Sequence, residues 1–276
     1  MLDLHCHSTA SDGALTPTRL VERAAALGVR TLALTDHDTV AGLPEARVAA
    51  GRVGVELLAG VEISATREGG GSLHVLGYLF DEAHPGLLRR LDALNEGRRG
   101  RNLRIAARLS ELGMPVSIEE VEARAQGTVG RPHFAEVMID KGYVRTYEEA
   151  FDFYLGEGRS AFVDKEILSP KQAIEAVHEA GGVAVLAHPL AYQKDTARLE
   201  RLVRELERES LDGIEVRCAG YTPGESSMLQ CFADRYGLLA LGGSGVGPHG
   251  TRVAERQGRD TRHAPAIRGR RRHLFA

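Results

Sequence analysis

No stretch of this 276-residue chain approaches the roughly 18 consecutive apolar residues that a membrane-spanning helix requires. The opening Met1-Leu-Asp-Leu-His-Cys-His7 has no charged segment followed by an apolar run, so no secretory leader is visible there. Cysteine is scarce. Cys6, Cys218 and Cys231 are too few for a disulfide framework, and their odd number suits a reducing compartment, which makes the cytoplasm the expected location. Gly69-Gly70-Gly71 is not followed by Gly-Lys-Ser/Thr, which excludes a P-loop and leaves a turn. The net charge of −3 gives no sign of a basic face built to track a long duplex.

That charge is unevenly placed. From Gly245 to Ala276, eight arginines face only Glu255 and Asp260, so this tail carries +6 and the rest of the chain −9. Gly, Arg, His and Pro dominate the tail and no apolar period persists in it, which argues against a packed element. The body before it is well patterned. An acidic body with locally placed arginines suits a small phosphorylated substrate.

In the body, short apolar runs alternate with amphipathic stretches. Strands are expected at 2–5, 31–35, 56–63, 73–80, 183–187, 213–216 and 238–241, and helices at 17–27, 40–50, 170–180, 196–209 and 224–236. Thr16-Pro17 and Ser169-Pro170 each place a capping hydroxyl before a proline at the first helical position. Gly28, Gly181 and Gly237 fall just past helices, where a left-handed cap favours glycine. The alternation predicts an α/β fold with parallel strands and right-handed crossovers. Residues 83–164 break the rhythm, with helical patterns at 85–112, 118–125, 132–141 and 147–155 and no strand between them, and read as a helical insertion.

Metal-type side chains collect at the strand ends. His5 and His7 form a His-x-His pair, and alternate strand residues share a face, so both imidazoles reach one point. Asp12 follows in the adjacent loop. Asp36-His37-Asp38 ends the second strand, Glu62 the third and His188 the fifth, while His74 lies near the start of the fourth, which marks that strand as antiparallel or differently bounded. Taken singly, such residues are more often ordinary satisfied polar groups, and only the His-x-His pair is evenly balanced; the joint pattern points to metal. Imidazole and carboxylate without thiolate suit Mn, Fe or Zn. About seven ligands exceed the four that one ion commonly takes, so two to three divalent ions are expected. Ser8 and Ser64 read as outer partners of the ligands, and Cys6 as a small core residue facing away.

These motifs resemble the PHP (polymerase and histidinol phosphatase) family. The matching residues are His5-Cys-His7-Ser, Ser11-Asp12-Gly13, Leu34-Thr-Asp36-His37-Asp38, Gly60-Val-Glu62, His74 and Ala187-His188-Pro189. The chain is most similar to the stand-alone bacterial branch, whose members are 3',5'-nucleoside bisphosphate phosphatases and 5'-to-3' exoribonucleases on short RNA. The resemblance implies a distorted (β/α)7 TIM-like barrel of residues 1–82 and 165–244, an inserted helical subdomain at 83–164, and a trinuclear metal centre. His5 and His7 are implied at one ion, Asp12 and His37 at a second, His74 and His188 at a third, with Glu62 bridging. Substrate contact is implied for Asp12, His37, Arg101, Asn102, Arg131 and His133, and catalytic roles for His37, Glu62 and His133, the last as a proton donor or phosphate ligand. A metal-bridging hydroxide attacking phosphorus in line is the implied chemistry. The implied substrate is a small phosphorylated molecule, a nucleotide or short single-stranded RNA, with no membrane partner.

The chain departs from the family at its last motif, Gly-Ser-Asp-x-His. Gly242-Gly243-Ser244 is present, but Gly245-Val246-Gly247-Pro248-His249 follows, so the Asp is absent and the His displaced. The coincident loss of motif, apolar pattern and acidic residues reads as a frameshift near Ser244; a natural basic tail for RNA is the rival. The main alternative activity is histidinol-phosphate phosphatase. A degenerate module with little activity is another. An amidohydrolase-type barrel with a strand-end lysine fits poorly, because Lys141, Lys165, Lys171 and Lys194 all lie away from expected strand ends.

Overall fold

A computed structural model describes residues 1–66, 72–125, 129–163, 168–218 and 220–243. The 69–71 glycine run, Lys165 and the 244–276 tail lie outside the described residues. The chain divides into two compact units, one of residues up to Leu91 and from Leu168 onward, the other beginning at Asp92 between them.

The first unit is a nearly closed barrel of seven strands. Strands β1 (Leu2–Cys6), β2 (Thr31–Leu34), β3 (Glu56–Thr66), β4 (Ser72–Tyr78), β5 (Val183–Leu186), β6 (Gly213–Arg217) and β7 (Leu239–Gly242) neighbour one another in sequence order. The β1–β2–β3 and β5–β6–β7 ladders are parallel, but β4 runs antiparallel to both β3 and β5. Loop length dictates this reversal. A parallel crossover takes a dozen residues or more, and only 67–71 separate β3 from β4. Among the described residues no ladder joins β7 to β1. Gly243, just past β7, packs directly on His5 of β1, where an added Cβ would come within 2.2 Å of the His5 Cβ.

Leu4, Leu76, Tyr78, Val183, Val185 and Ala187 belong to the barrel's apolar core. The Tyr78 hydroxyl, buried among them, donates to the Leu4 carbonyl at 2.7 Å, the partner a buried phenol needs. Helices α1 (Pro17–Ala26) and α2 (Leu43–Val53) belong to this unit. The Thr16 hydroxyl caps α1 by accepting the Arg19 N–H. Helix α2 starts three residues later than the apolar pattern predicts. Pro44 accounts for this, since a residue without N–H fits only the first turn.

Helix α3 (Pro85–Glu111) begins in the first unit and continues into the second, which adds α4 (Ile118–Glu122), α5 (Arg131–Asp140), α6 (Tyr147–Ala150) and a π-helical turn, Phe151–Leu155. The second unit holds its own apolar cluster, including Ile105, Leu109, Val121, Phe134 and Met138. The first unit resumes with α7 (Pro170–Glu179), α8 (Thr196–Arg208) and α9 (Pro223–Tyr236). Ser169 caps α7 through the Gln172 N–H, and Gln172 returns a bond to the Ser169 N–H. Helix α8 buries Leu199, Leu202, Val203 and Leu206 at helical spacing.

Candidate metal centre

The site is assembled at one end of the barrel by strand termini and the turns that follow them. His5 lies on β1 and His7 just beyond it. The chain then folds tightly, with the Ser8 carbonyl accepting the N–H of both Ser11 and Gly13. Gly13 is required there, since a Cβ would lie 2.2 Å from the His7 carbonyl oxygen. This turn leaves Asp12 Oδ1 3.5 Å from His7 Nδ1 and Asp12 Oδ2 3.7 Å from His37 Nε2.

The two aspartates flanking His37 point elsewhere. Asp36 accepts the Ser8 N–H and hydroxyl, each at 2.7 Å, and the Ser11 hydroxyl at 2.5 Å. Asp38, at φ 52°, accepts the Ser64 N–H at 2.7 Å and its hydroxyl at 2.8 Å. The serines therefore anchor carboxylates that lock the loops, and His37 is left facing the centre. A bridge from His37 to Glu62 extends the β2–β3 pairing by backbone contact.

Glu62 is fully buried and stands among five imidazoles. Its Oε2 lies 3.1 Å from His5 Nε2, 3.0 Å from His7 Nε2 and 3.3 Å from His37 Nδ1. Its Oε1 lies 2.9 Å from His74 Nδ1 and 2.8 Å from His188 Nε2. The antiparallel course of β4 brings His74, near its start, to the same end as the C-terminal ends of β3 and β5. Among the described residues, two three-residue groups have donor atoms within 4.8 Å of one another: His5, Glu62 and His188, and His7, His37 and Glu62.

These atoms fit a cation better than they fit each other. The Nδ1 of His5 faces Glu215 Oε1 at 3.1 Å. With its hydrogen there, a neutral His5 ring turns a bare Nε2 lone pair toward Glu62 and toward His7 Nε2, 3.0 Å away. Two further ring nitrogens, His37 Nδ1 and His188 Nδ1, are buried without a hydrogen bond. Without an ion, protons take the cation's place on part of the cluster. Burial opposes charge on His5, yet Glu215 and Glu62 hold its pKa well above the ordinary histidine range. Burial likewise opposes charge on His7, whose pKa Glu62 raises. Burial prevails at His37, pulling it down to about 3. Glu62 itself stays well below the usual carboxylate range, because the surrounding histidines, His37 and His5 foremost, outweigh its burial.

Tyr192 closes the side at His74 and His188. Its hydroxyl oxygen accepts the His74 backbone N–H at 2.8 Å and lies 3.4 Å from His188 Nε2. Neither Tyr192 nor Glu215 stands out in the motif pattern. Glu215 had a signal, a single acid inside the apolar run Gly213-Ile-Glu-Val; Tyr192 had none.

The second unit holds the remaining candidates. The Arg101 guanidinium donates to Asn102 Oδ1 at 2.8 Å, and the Asn102 amide donates to the Val129 carbonyl at 3.1 Å. Arg131, at the start of α5, donates to the Leu155 carbonyl at 3.1 Å and lies over the rings of Phe151 and Phe162. Burial lowers its pKa. His133 Nδ1 accepts the Gly130 N–H at 3.0 Å, which fixes its tautomer and leaves Nε2–H as a donor.

Comparison with known proteins gives the chain its family. The PHP domain family matches residues 3–208. A 5'-3' exoribonuclease of Haemophilus influenzae is 43% identical over 242 residues, covering 88% of each chain. A 3',5'-nucleoside bisphosphate phosphatase of Chromobacterium violaceum is 37% identical over 245 residues, 88% of this chain and 86% of that one. A solved structure from Bifidobacterium adolescentis, assigned as a metal-dependent phosphoesterase, superposes with a TM-score of 0.84 at 31% identity, covering 98% of this chain and 96% of that one.

Proposed function

This chain belongs to the PHP domain family, and from that premise we propose that it is a metal-dependent phosphoesterase acting on nucleotides, removing phosphate from 3',5'-bisphosphonucleotides or trimming short RNA from its 5' end. The observation that carries the reading is the single carboxylate of Glu62 facing five imidazoles. His5, His7, Asp12, His37, Glu62, His74 and His188 hold two to three divalent ions, Mn, Fe or Zn. Bound there, the ions lower the pKa of a water and clamp the phosphate. Glu62 would bridge the ions, and His37 and Asp12 would keep the reacting end of the substrate in register. Within the second unit, Arg131, Arg101 and Asn102 recognise phosphate, the guanidinium fork matching its oxygens. The Nε2–H of His133 is a further donor for a phosphate oxygen.

The test is phosphate release from a 3',5'-bisphosphonucleotide and from histidinol phosphate, with and without chelator. Release from the nucleotide, abolished by chelation and restored by Mn²⁺, is expected. Preferential release from histidinol phosphate moves the substrate assignment to that compound, and release indifferent to chelation sinks the metal reading.

The missing Asp-x-His after Ser244 favours a second reading, a degenerate module of low activity. Outer partners of metal ligands alone are worth about 10–100-fold in affinity or activity, and two lost direct ligands weigh more. Restoring Ser-Asp-x-His is therefore expected to raise turnover by more than about 100-fold. Equal turnover by both forms at matched metal content refutes the idea.

A further inference from the structure

Glu215 lies outside the proposed ligand set, yet it is 1% exposed and connects two members of it. Its neighbours on β6, Ile214 and Val216, are apolar and buried, so nothing in the strand itself accommodates a carboxylate. Its partners come from elsewhere in the barrel. Oε1 faces His5 Nδ1 of β1 at 3.1 Å. Oε2 accepts the backbone N–H of His188, past the end of β5, at 2.7 Å and the Cys218 thiol at 3.3 Å. Despite its burial Glu215 stays below the usual carboxylate range, with His5 the principal cause.

Each tie has a consequence. At His5, Glu215 takes the Nδ1–H, which leaves Nε2, 3.1 Å from Glu62 Oε2, as the nitrogen that would give up its proton to an ion. At His188 the backbone holds φ 23°, ψ 60°, a left-handed conformation that a non-glycine residue keeps only when its surroundings impose it. The bond to Glu215 is one such constraint, and it accompanies a ring whose Nε2 lies 2.8 Å from Glu62 Oε1. We propose that Glu215 is a positioning residue, setting the His5 tautomer and the His188 backbone at once so that both imidazoles face the same carboxylate. The proposal rests on the reading that His5 and His188 hold ions.

Glu215→Gln tests it with little change of shape. A carboxylate offers two acceptor oxygens and an amide one, so in the variant either His5 Nδ1–H or the His188 N–H loses its acceptor. The full chain, stripped of metal and titrated with Zn²⁺, is expected to bind roughly 10–100-fold more weakly in Glu215→Gln, while the metal-free variant still folds. Nitrogen-15 spectra of the wild type, metal-free and zinc-loaded, are expected to show a hydrogen-bonded His5 Nδ1–H and a slowly exchanging His188 amide; the variant loses one of them. Unchanged zinc affinity with both signals intact overturns the proposal. A wild type that binds no zinc sinks the metal reading, while the two N–H signals, which need no ion, still decide the role of Glu215. Should Glu215→Gln not fold, Glu215→Asp, which keeps the charge but shortens the reach, replaces it under the same criteria.

Discussion

Glu62→Gln is expected to leave a folded protein that neither retains its ions nor releases phosphate. Both oxygens of this carboxylate are in use, Oε2 toward His5, His7 and His37 and Oε1 toward His74 and His188. The amide keeps one acceptor and turns a pair of donors into the cluster, where they compete with any cation for the ring nitrogens. Because groups beyond the direct ligands are worth about 10–100-fold, losing the one residue common to both three-residue groups should cost about a thousand-fold or more in phosphate release, or about 4 kcal/mol of transition-state stabilisation. Elemental analysis after dialysis and initial rates at saturating Mn²⁺ provide the check. A variant retaining the wild-type metal content would move the bridging role away from Glu62.

Gly243→Ala should produce a large loss of stability through the addition of one methyl group. The new methyl group would sit 2.2 Å from the His5 Cβ and 2.6 Å from the His5 nitrogen, so backbone, not a flexible side-chain end, must give way. Overpacking of this kind costs about 1–3 kcal/mol or more, which in a chain of this size lowers Tm by roughly 2–4 °C per kcal/mol. The displaced residue carries a proposed ligand, so zinc affinity should fall with Tm. Gly51→Ala is the opposite case. Gly51 lies inside α2 with nothing within 4 Å of its added Cβ, and helix propensity predicts a gain of about 0.5–1 kcal/mol. Equal Tm values for the two variants would show that the seam between β7 and β1 is looser than the distances indicate.

The residues that announced themselves in the sequence did so through local chemistry. Thr16-Pro17 and Ser169-Pro170 begin helices because a hydroxyl cap and a proline at the first turn act within four residues. The seven apolar runs become seven strands because each buries its own side chains. Strand direction is another matter. A two-residue period reads the same in either sense, so the reversal of β4 is fixed by a short loop and seen in sequence only through the misplaced His74. The start of α2 follows Pro44 in preference to the apolar pattern. The π-helical turn at Phe151–Leu155 carries no local signature. At the centre, the strand-end histidines and Glu62 are legible as a set, whereas the tie from Glu215 to His5 joins residues 210 positions apart and no local pattern encodes it.

Strand order that equals sequence order also has a bearing on how the chain is made. Each new strand finds its partner already present, so the barrel can grow in the order of synthesis, as domains emerging from the ribosome commonly do. Glu62 is then served in two instalments. Its Oε2 meets His5 and His7 at the end of β1 and His37 just past β2, all made before Glu62 itself. Its Oε1 meets His74 of β4 soon afterwards, but His188 comes 126 residues further along than Glu62, after the entire second unit has been translated. Until the segment after β5 arrives, Oε1 has His74 alone, so the set of five imidazoles is completed only by the residue made last.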